Sequence, residues 1–595
     1  MWITSLFRFL AGPMLFCGLF LQLDRALATP LLHEKFQTAR VVSDSSRSMG
    51  WAGERKGVFA PLDIPLVLSG NFGELRADHF HTGLDFKTQG KEGFPVLAAT
   101  DGVIARVKIS PFGYGKALYL SGPRGLTTVY AHLQRFAPAI DQWALDQQYS
   151  QERFELDAWP RQSFVFQQGD TIGWSGNSGG SGGPHLHFEI RETSSQKPLN
   201  PLLWDFDVAD KRAPELRGLW LLPHESASIN GRRRPVKLER EGVVVVKGGF
   251  RVAIDALDRL DAANNRCGIY KAEMRLDGAV IFEWELDTLD FAVNRDMNAH
   301  AYFPVWNSSG EQVHRMHRLP GNRLPIYPKQ TTSGIVACDS LTECQRVLAI
   351  HVWDVHGNAV QKSWDIVFQS ETSGDEINRG AVRLNRSNTH ILKAKQGGVE
   401  VMCPPLSFYD DFALDVAKID SVTFQIGEPQ VPVSKPLQVT LGLSDFHSKH
   451  RQCSNQTAVR SLDEDGDELG WYHGTCQDSM FVFSTRQLGR FELAVDSLAP
   501  EISPHLRHRT AQDSILVVKA GNELRFNLSD AGVGIANFGA SLDGEWILMQ
   551  WDPKRERVWY DLGDGRHLKG AKQRLIVTAM DEAGNPCSWE GWVQF

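Results

Sequence analysis

The sequence predicts a mostly β protein built from several domains. Three observations carry that expectation. The chain has 595 residues, and single hydrophobic cores rarely grow past about 250–300 residues. Short runs rich in Val, Ile, Phe, Tyr and Trp recur between Gly, Pro, Asn and Asp, as strands do between turns. Helical periodicity is sparse. Hydrophobic content of 42% and charged content of 23% belong to an ordinary folded chain. A net charge of −8 without a long basic run argues against nucleic acid as the main partner.

The first segment, 1–28, reads as a signal peptide. Arg8 supplies the positive charge, residues 9–23 are uncharged and, apart from Gln22, apolar or small, and Ala26-Leu27-Ala28 is a small-x-small cleavage site. The rival is an uncleaved anchor, for which the stretch is short of the roughly 20 residues a spanning helix needs. No other segment is apolar enough to span a bilayer. The mature chain is therefore expected beyond the inner membrane, in the periplasm or cell envelope. Residues 29–60 are polar and look like an extended leader. Seven cysteines remain after cleavage. In an oxidising compartment Cys338/Cys344 and Cys453/Cys476 are plausible local disulfides.

Residues 61–212 form a glycine-rich β region. Within it, residues 137–154 are richer in Gln, Leu and Ala and are expected to be a helical insertion. The remainder contains a repeat. One copy opens at Ala213-Pro214-Glu215-Leu216 and runs through Asp258, Gly268-Ile269 and Asp277-Gly278 to Asp354-Val355-His356-Gly357-Asn358. The other opens at Ala499-Pro500-Glu501-Ile502 and runs through Asp530, Gly534-Ile535 and Asp543-Gly544 to Asp581-Glu582-Ala583-Gly584-Asn585. From Asp277 to Asp354 is 77 residues and from Asp543 to Asp581 is 38, so the first copy carries 39 more. Asp-Gly and Gly-Asn are tight-turn dipeptides. Two Ig-like β-sandwiches, 213–370 and 499–595, with a β-rich domain over 371–498, account for the pattern.

Two segments carry chemistry, Phe80-His81-Thr82-Gly83-Leu84-Asp85-Phe86 and Gly182-Gly183-Pro184-His185-Leu186-His187-Phe188-Glu189-Ile190, with Val129-Tyr130-Ala131-His132-Leu133 between them. A hydrolytic zinc takes three N or O ligands and leaves a fourth position for water. His81 and Asp85 offer one nitrogen and one oxygen, and Gly83 lets the chain curl between them. His185 and His187 are two apart, so a strand presents both imidazoles on one face, with Leu186 and Phe188 on the other. Residues 173–183 form an adaptable loop of small residues.

These segments resemble the signature of the lysostaphin/LytM-type zinc peptidases, whose duplicated-hybrid-motif fold pairs H-x-G-x-D-F with Y-x-H-L and G-x-P-H-L-H-F-E. The likeness covers residues 61–201, about a quarter of the chain. It implies that His81, Asp85 and His187 hold Zn2+. It makes His132 and His185 the catalytic pair, with His185 the first choice of base and the reverse assignment open. It implies hydrolysis of peptide stems or cross-bridges in bacterial cell-wall peptidoglycan. The Ig-like domains are candidates for contact with envelope partners. The alternative is a catalytically inactive envelope protein that binds wall or regulates a partner hydrolase. Because all the chemical residues fall between His81 and His187, residues 213–595 are expected to serve placement, and the peptidase region to fold alone. His79, the spacing of His447, His450 and Cys453, and the Asp residues of the repeat are read as structural.

Overall fold

The structure, a computed structural model, describes residues 55–328, 333–338, 343–369, 382–446, 453–505, 515–518, 523–564 and 570–595. The expected signal peptide and most of the leader lie outside the described residues, as do His447 and His450. Among the described residues no helix is long and apolar enough to cross a membrane.

Eleven strands form the first sheet: β1 (Leu68–Gly70), β2 (Leu84–Lys87), β3 (Pro95–Leu97), β4 (Gly102–Ile109), β5 (Lys116–Ser121), β6 (Leu126–Phe136), β7 (Leu156–Ala158), β8 (Val165–Phe166), β9 (Thr171–Ser175), β10 (His185–Glu192) and β11 (Pro198–Leu199). The main path runs β1-β2-β10-β6-β5-β4-β7, and every pairing is antiparallel. This order sets the three motif segments on adjacent strands, with His187 opposite Asp85 on one side and Ala131 on the other. Strand alternation sends Leu186, Phe188 and Ile190 to one face, each 0% exposed. Phe188 packs there against Tyr130 and Phe206, at ring-centroid distances of 5.4 and 5.8 Å.

The expected insertion is α1 (Pro138–Gln151), which follows β6 directly. Proline opens its first turn, and Glu152 in the left-handed conformation closes it. It buries Ile140, Ala144 and Gln148.

The two repeat copies share a topology. In the first, Val243–Lys247 runs parallel to Ala359–Gln369; in the second, Ile515–Val517 runs parallel to Pro586–Gln594. The remaining pairings of both are antiparallel. The Asp-Gly turns have positive φ at both residues: 50° and 84° at Asp277-Gly278, 52° and 90° at Asp543-Gly544. That is the tight hairpin geometry that dipeptide favours. Between the copies lie two five-stranded sheets within residues 390–495 and a two-stranded pair.

The apolar core departs from the expected division. Buried residues from Val58 to Phe368 form one cluster, shared by the eleven-stranded sheet and the first repeat copy. Residues between Leu384 and Leu493 form a second cluster, and those between Leu516 and Val593 a third. The peptidase sheet and the first copy thus touch through buried apolar side chains. The 39 extra residues of the first copy explain part of this. They include short helices at Met297–His300 and Phe303–Ser309. Just ahead of them, Asn294 clamps the backbone of Phe80, donating to its carbonyl at 2.9 Å and accepting from its N–H at 3.1 Å.

Candidate metal centre

His81 reaches the centre from the turn into β2, Asp85 from β2 itself, and His187 from β10. Asp85 Oδ1 lies 3.0 Å from His81 Nε2 and 2.9 Å from His187 Nδ1, and the two imidazole nitrogens are 3.0 Å apart. All three side chains are buried, at 6%, 7% and 4% exposed. The glycine between them acts by closeness rather than by curling: a Cβ on Gly83 would stand 2.3 Å from the Phe188 carbonyl, and its φ is not in the left-handed region.

The tautomers follow from what each imidazole's other nitrogen meets. His81 Nδ1 faces the Asn71 carbonyl at 2.8 Å, which can only accept, so Nε2 carries the lone pair. His187 Nε2 faces Glu189 Oε1 at 2.8 Å, which leaves the lone pair on Nδ1. Two nitrogen lone pairs and a carboxylate oxygen thus converge, each histidine oriented by an outer partner, as metal-ligating histidines are. The donor set fits a zinc ion.

The remaining histidines of the motifs stand at the rim. His185 Nδ1 donates to the Gly183 carbonyl at 2.8 Å, and its Nε2 lies 3.4 Å from Asp85 Oδ1. His132 Nδ1 donates to the Ser178 carbonyl at 2.9 Å, and its ring centroid is 4.7 Å from that of His185. His132 has φ 59°, a strained choice for a non-glycine residue and one that clusters at functional sites. His79, by contrast, is exposed and pairs with Asp78 at 2.8 Å, away from the centre. The disulfides Cys338–Cys344 and Cys453–Cys476 are formed. Cys267, Cys403 and Cys587 are free.

The electrostatics are those of a buried charged knot. Burial would raise the Asp85 carboxyl, but His81, His185 and His187 together hold it well below the usual range. Burial opposes charge on His187 as well, yet its hydrogen bonds to Asp85 and Glu189 lift it to about 9, so a cation taking the Nδ1 lone pair displaces a proton. Burial, helped by His187 and His185, pushes His132 down to about 3.

Residues 79–144 match the model of Peptidase family M23. The chain carries an M23 peptidase domain. Within that match lie His81, Asp85 and His132, while His185 and His187 follow α1. Over 122 residues the chain is 35% identical to the DD-carboxypeptidase/endopeptidase Mpg of Neisseria meningitidis serogroup B, covering 20% of this chain and 22% of that protein. Over 200 residues it is 28% identical to the peptidoglycan DD-endopeptidase ShyC of Vibrio cholerae, covering 32% and 37%. The catalytic domain of lysostaphin from Staphylococcus simulans is 23% identical over 23% of this chain and 90% of that one, with a TM-score of 0.18. The chain thus spans about a fifth of the Neisseria protein and under two-fifths of ShyC. Residues 383–496 match a Zu5-like domain.

Around the M23 centre stand residues to which the sequence reading gave no role. Glu189, 0% exposed, accepts from Thr82 Oγ1 at 2.6 Å, Tyr114 OH at 2.5 Å and Arg191 Nε at 2.6 Å besides His187. Strand periodicity could have found it: His185, His187, Glu189 and Arg191 are successive residues of one face. Asn71 and Tyr114 had no such signal. Nor did Lys554, in the last repeat copy, whose ammonium donates to the carbonyls of Asn177 and, at 2.9 Å, Gly179. Those two residues flank Ser178, which holds His132. Ring contacts accompany this clasp, Phe112 on Trp551 at 5.6 Å and Tyr149 of α1 on Trp546 at 5.2 Å.

Proposed function

We propose that the protein is a zinc metalloendopeptidase of the bacterial envelope that hydrolyses peptide cross-links of peptidoglycan, with His81, Asp85 and His187 as metal ligands and His132 and His185 as the catalytic pair. The observation that carries the reading is the convergence of three oriented lone pairs, with two further imidazoles turned to the same point. The names of the M23 relatives support the peptidoglycan substrate. The chemistry that zinc supplies when held there is polarisation of the scissile carbonyl and acidification of the attacking water.

The chain's own residues divide the rest. His185 has its proton fixed on Nδ1 by Gly183, so Nε2, beside Asp85, carries the lone pair that takes a proton from water and passes it to the leaving amine. His132 is buried and held below the usual imidazole range, which makes His185 the first choice for that step. His132, whose Nε2 accepts, orients the water instead. Glu189 and Asn71 hold the ligand imidazoles in register. Gly182 and Gly183, with nothing within 4 Å of a Cβ at either, leave the rim open for a substrate backbone.

Mass spectrometry of muropeptides after digestion, with and without a chelator, tests the proposal. Chelator-sensitive loss of cross-linked dimers is expected. His187→Ala should lose the zinc. His185→Ala should keep it and lose roughly 10²–10⁴ in rate. Full zinc retention in His187→Ala would sink the ligand assignment, and intact sacculi in the presence of zinc-loaded protein would sink the substrate.

A further inference from the structure

A second group of carboxylates lies apart from the M23 centre, at its junction with the first repeat copy. Asp210 stands three residues before Ala213-Pro214, Asp258 just after the strand Phe250–Leu257, and Asp354 at the head of the Gly-Asn turn. Asp258 and Asp354 are 2% and 4% exposed, and the Asp210 side chain is 1% exposed. With His356 they line a cavity of about 10 Å³, the room of a single water or ion. Ligand atoms of Asp210, Asp354 and His356 lie within 4.8 Å of one another. Asp258 Oδ1, buried in this group, meets no hydrogen-bond donor. Asp210 Oδ2 also takes no hydrogen bond and has only His356 Nδ1 at 3.5 Å. A buried carboxylate oxygen without a donor is costly, and neighbouring carboxylates make it more so. Burial first, and Asp210 next, push Asp258 up to about 7.

The last repeat copy sets aspartates at the corresponding positions, and there all three gather, where at the junction His356 takes the third place. Asp496 stands three residues before Ala499-Pro500, and it gathers with Asp530 and Asp581 within 4.8 Å. Asn585 Nδ2 donates to Asp581 Oδ2 at 2.8 Å and the Asp496 carbonyl at 3.0 Å. Asn358 Nδ2 does the same at Asp354 Oδ2 and the Asp210 carbonyl, at 2.7 and 3.4 Å. Asp530 Oδ1, the counterpart of Asp258 Oδ1, is also buried without a donor.

We propose that the cavity bounded by Asp210, Asp258 and Asp354 is a binding site for a hard divalent cation of the calcium class, and that Asp496, Asp530 and Asp581 form its repeat. Carboxylate oxygens select hard cations over thiophilic ones. Magnesium keeps several of its waters and demands octahedral geometry, whereas calcium accepts a crowded, irregular shell of oxygens. A small cavity lined by several carboxylates suits the irregular oxygen shell of calcium better than a hydrated octahedral ion. Asn71 lines the same cavity. Its side chain bridges to the Gly268 backbone through two bonds of 2.7 Å, and its carbonyl orients His81. A cation there ties the junction together directly behind the M23 centre.

The test is equilibrium dialysis of the full, zinc-loaded chain against calcium chloride, read by elemental analysis, with melting curves in parallel. Two calcium ions per chain are expected, falling to one in Asp258→Asn with zinc content unchanged. Saturating calcium should raise the wild-type Tm by roughly 5–10 °C. Without calcium, Asp258→Asn should melt no lower than wild type, because the amide removes a buried like charge. One calcium in wild type and none in Asp258→Asn would keep the junction site and sink its repeat. No calcium retained by wild type at millimolar free calcium would overturn the proposal. So would undiminished calcium in both Asp258→Asn and Asp354→Asn, or a second zinc taking the place of calcium.

Discussion

Residues 213–370 and 499–595 carry similar turn sequences, the same parallel strand pair and, with Asp210 and Asp496 just ahead of them, aspartates at corresponding positions, yet they hold the M23 domain differently. The first copy shares one continuous apolar cluster with it. The second keeps its own core and meets the domain through a lysine clasp and a few aromatic contacts. The 39 residues added to the first copy mark the difference: they brace Phe80 and Asp78, the residues leading into His81. One fold has been used once as half of a core and once as an outer clamp. Similarity of module does not carry similarity of mechanical role.

Separating the modules should show this most strongly. A fragment of residues 55–212 loses the partner of its buried face, including the Asn71–Gly268 pair and the Asn200 donation to the Leu286 carbonyl at 3.0 Å. It should aggregate, or melt without a cooperative transition, because a large apolar patch is left in water. Deleting residues 499–595 should leave a cooperative fold with full zinc content and reduced hydrolysis. Circular dichroism and metal analysis on both proteins decide it. A fragment 55–212 that melts cooperatively near the full chain's temperature would erase the distinction.

Acid should separate the modules next. His300, His314 and His317 of the first copy are 0%, 0% and 1% exposed. Each is held below the usual imidazole range, with burial the main cause, and His314 falls to about 4. An unfolded histidine titrates near ~6.5, so the unfolded chain binds more protons below that pH. The stability these residues contribute is complete above about 6.5 and is lost as pH falls from there towards 4, on the order of 3 kcal/mol for His314. Urea unfolding at pH 7 and pH 5 should show the loss equally in the full chain and in the deletion lacking 499–595. A loss confined to the full chain would place the acid-sensitive groups in the wrong module.

The smallest expected effect is at the clasp. Lys554→Ala should lower kcat roughly threefold to tenfold through misplacement of the His132 loop, with Tm shifted by no more than about 2 °C. Lys554→Arg should recover most of the rate. Unchanged kinetics in Lys554→Ala would reduce the clasp to a surface contact.

The centre was legible because its residues lie on two short segments whose periodicity projects onto one strand face. The helix over 138–151 and both Asp-Gly turns were legible for the same reason: local composition dictates local geometry. What stayed hidden depends on contacts between distant parts of the chain. Asn71, Asn294 and Lys554 sit in unremarkable sequence, and nothing local tells that Asn71 reaches Gly268 of the first copy or that Asn294 and Lys554 reach the M23 domain. The repeat aspartates were visible as turn residues. Their gathering into clusters depends on three strand ends meeting, which only the folded sheets bring about. The shared core is hard to read in the sequence because an apolar strand looks alike whether its partner belongs to the same module or the next.

The clasp also bears on the order of events in biosynthesis. Lys554 follows Gly179 by 375 residues, so a chain growing from the ribosome, or threading through a translocon, has its peptidase residues out long before the loop that seats His132 receives its last two carbonyl contacts. At about 5–20 residues per second, that interval is tens of seconds. The loop that seats His132 would thus emerge loosely set and take its final form only when nearly all of the later domains have formed.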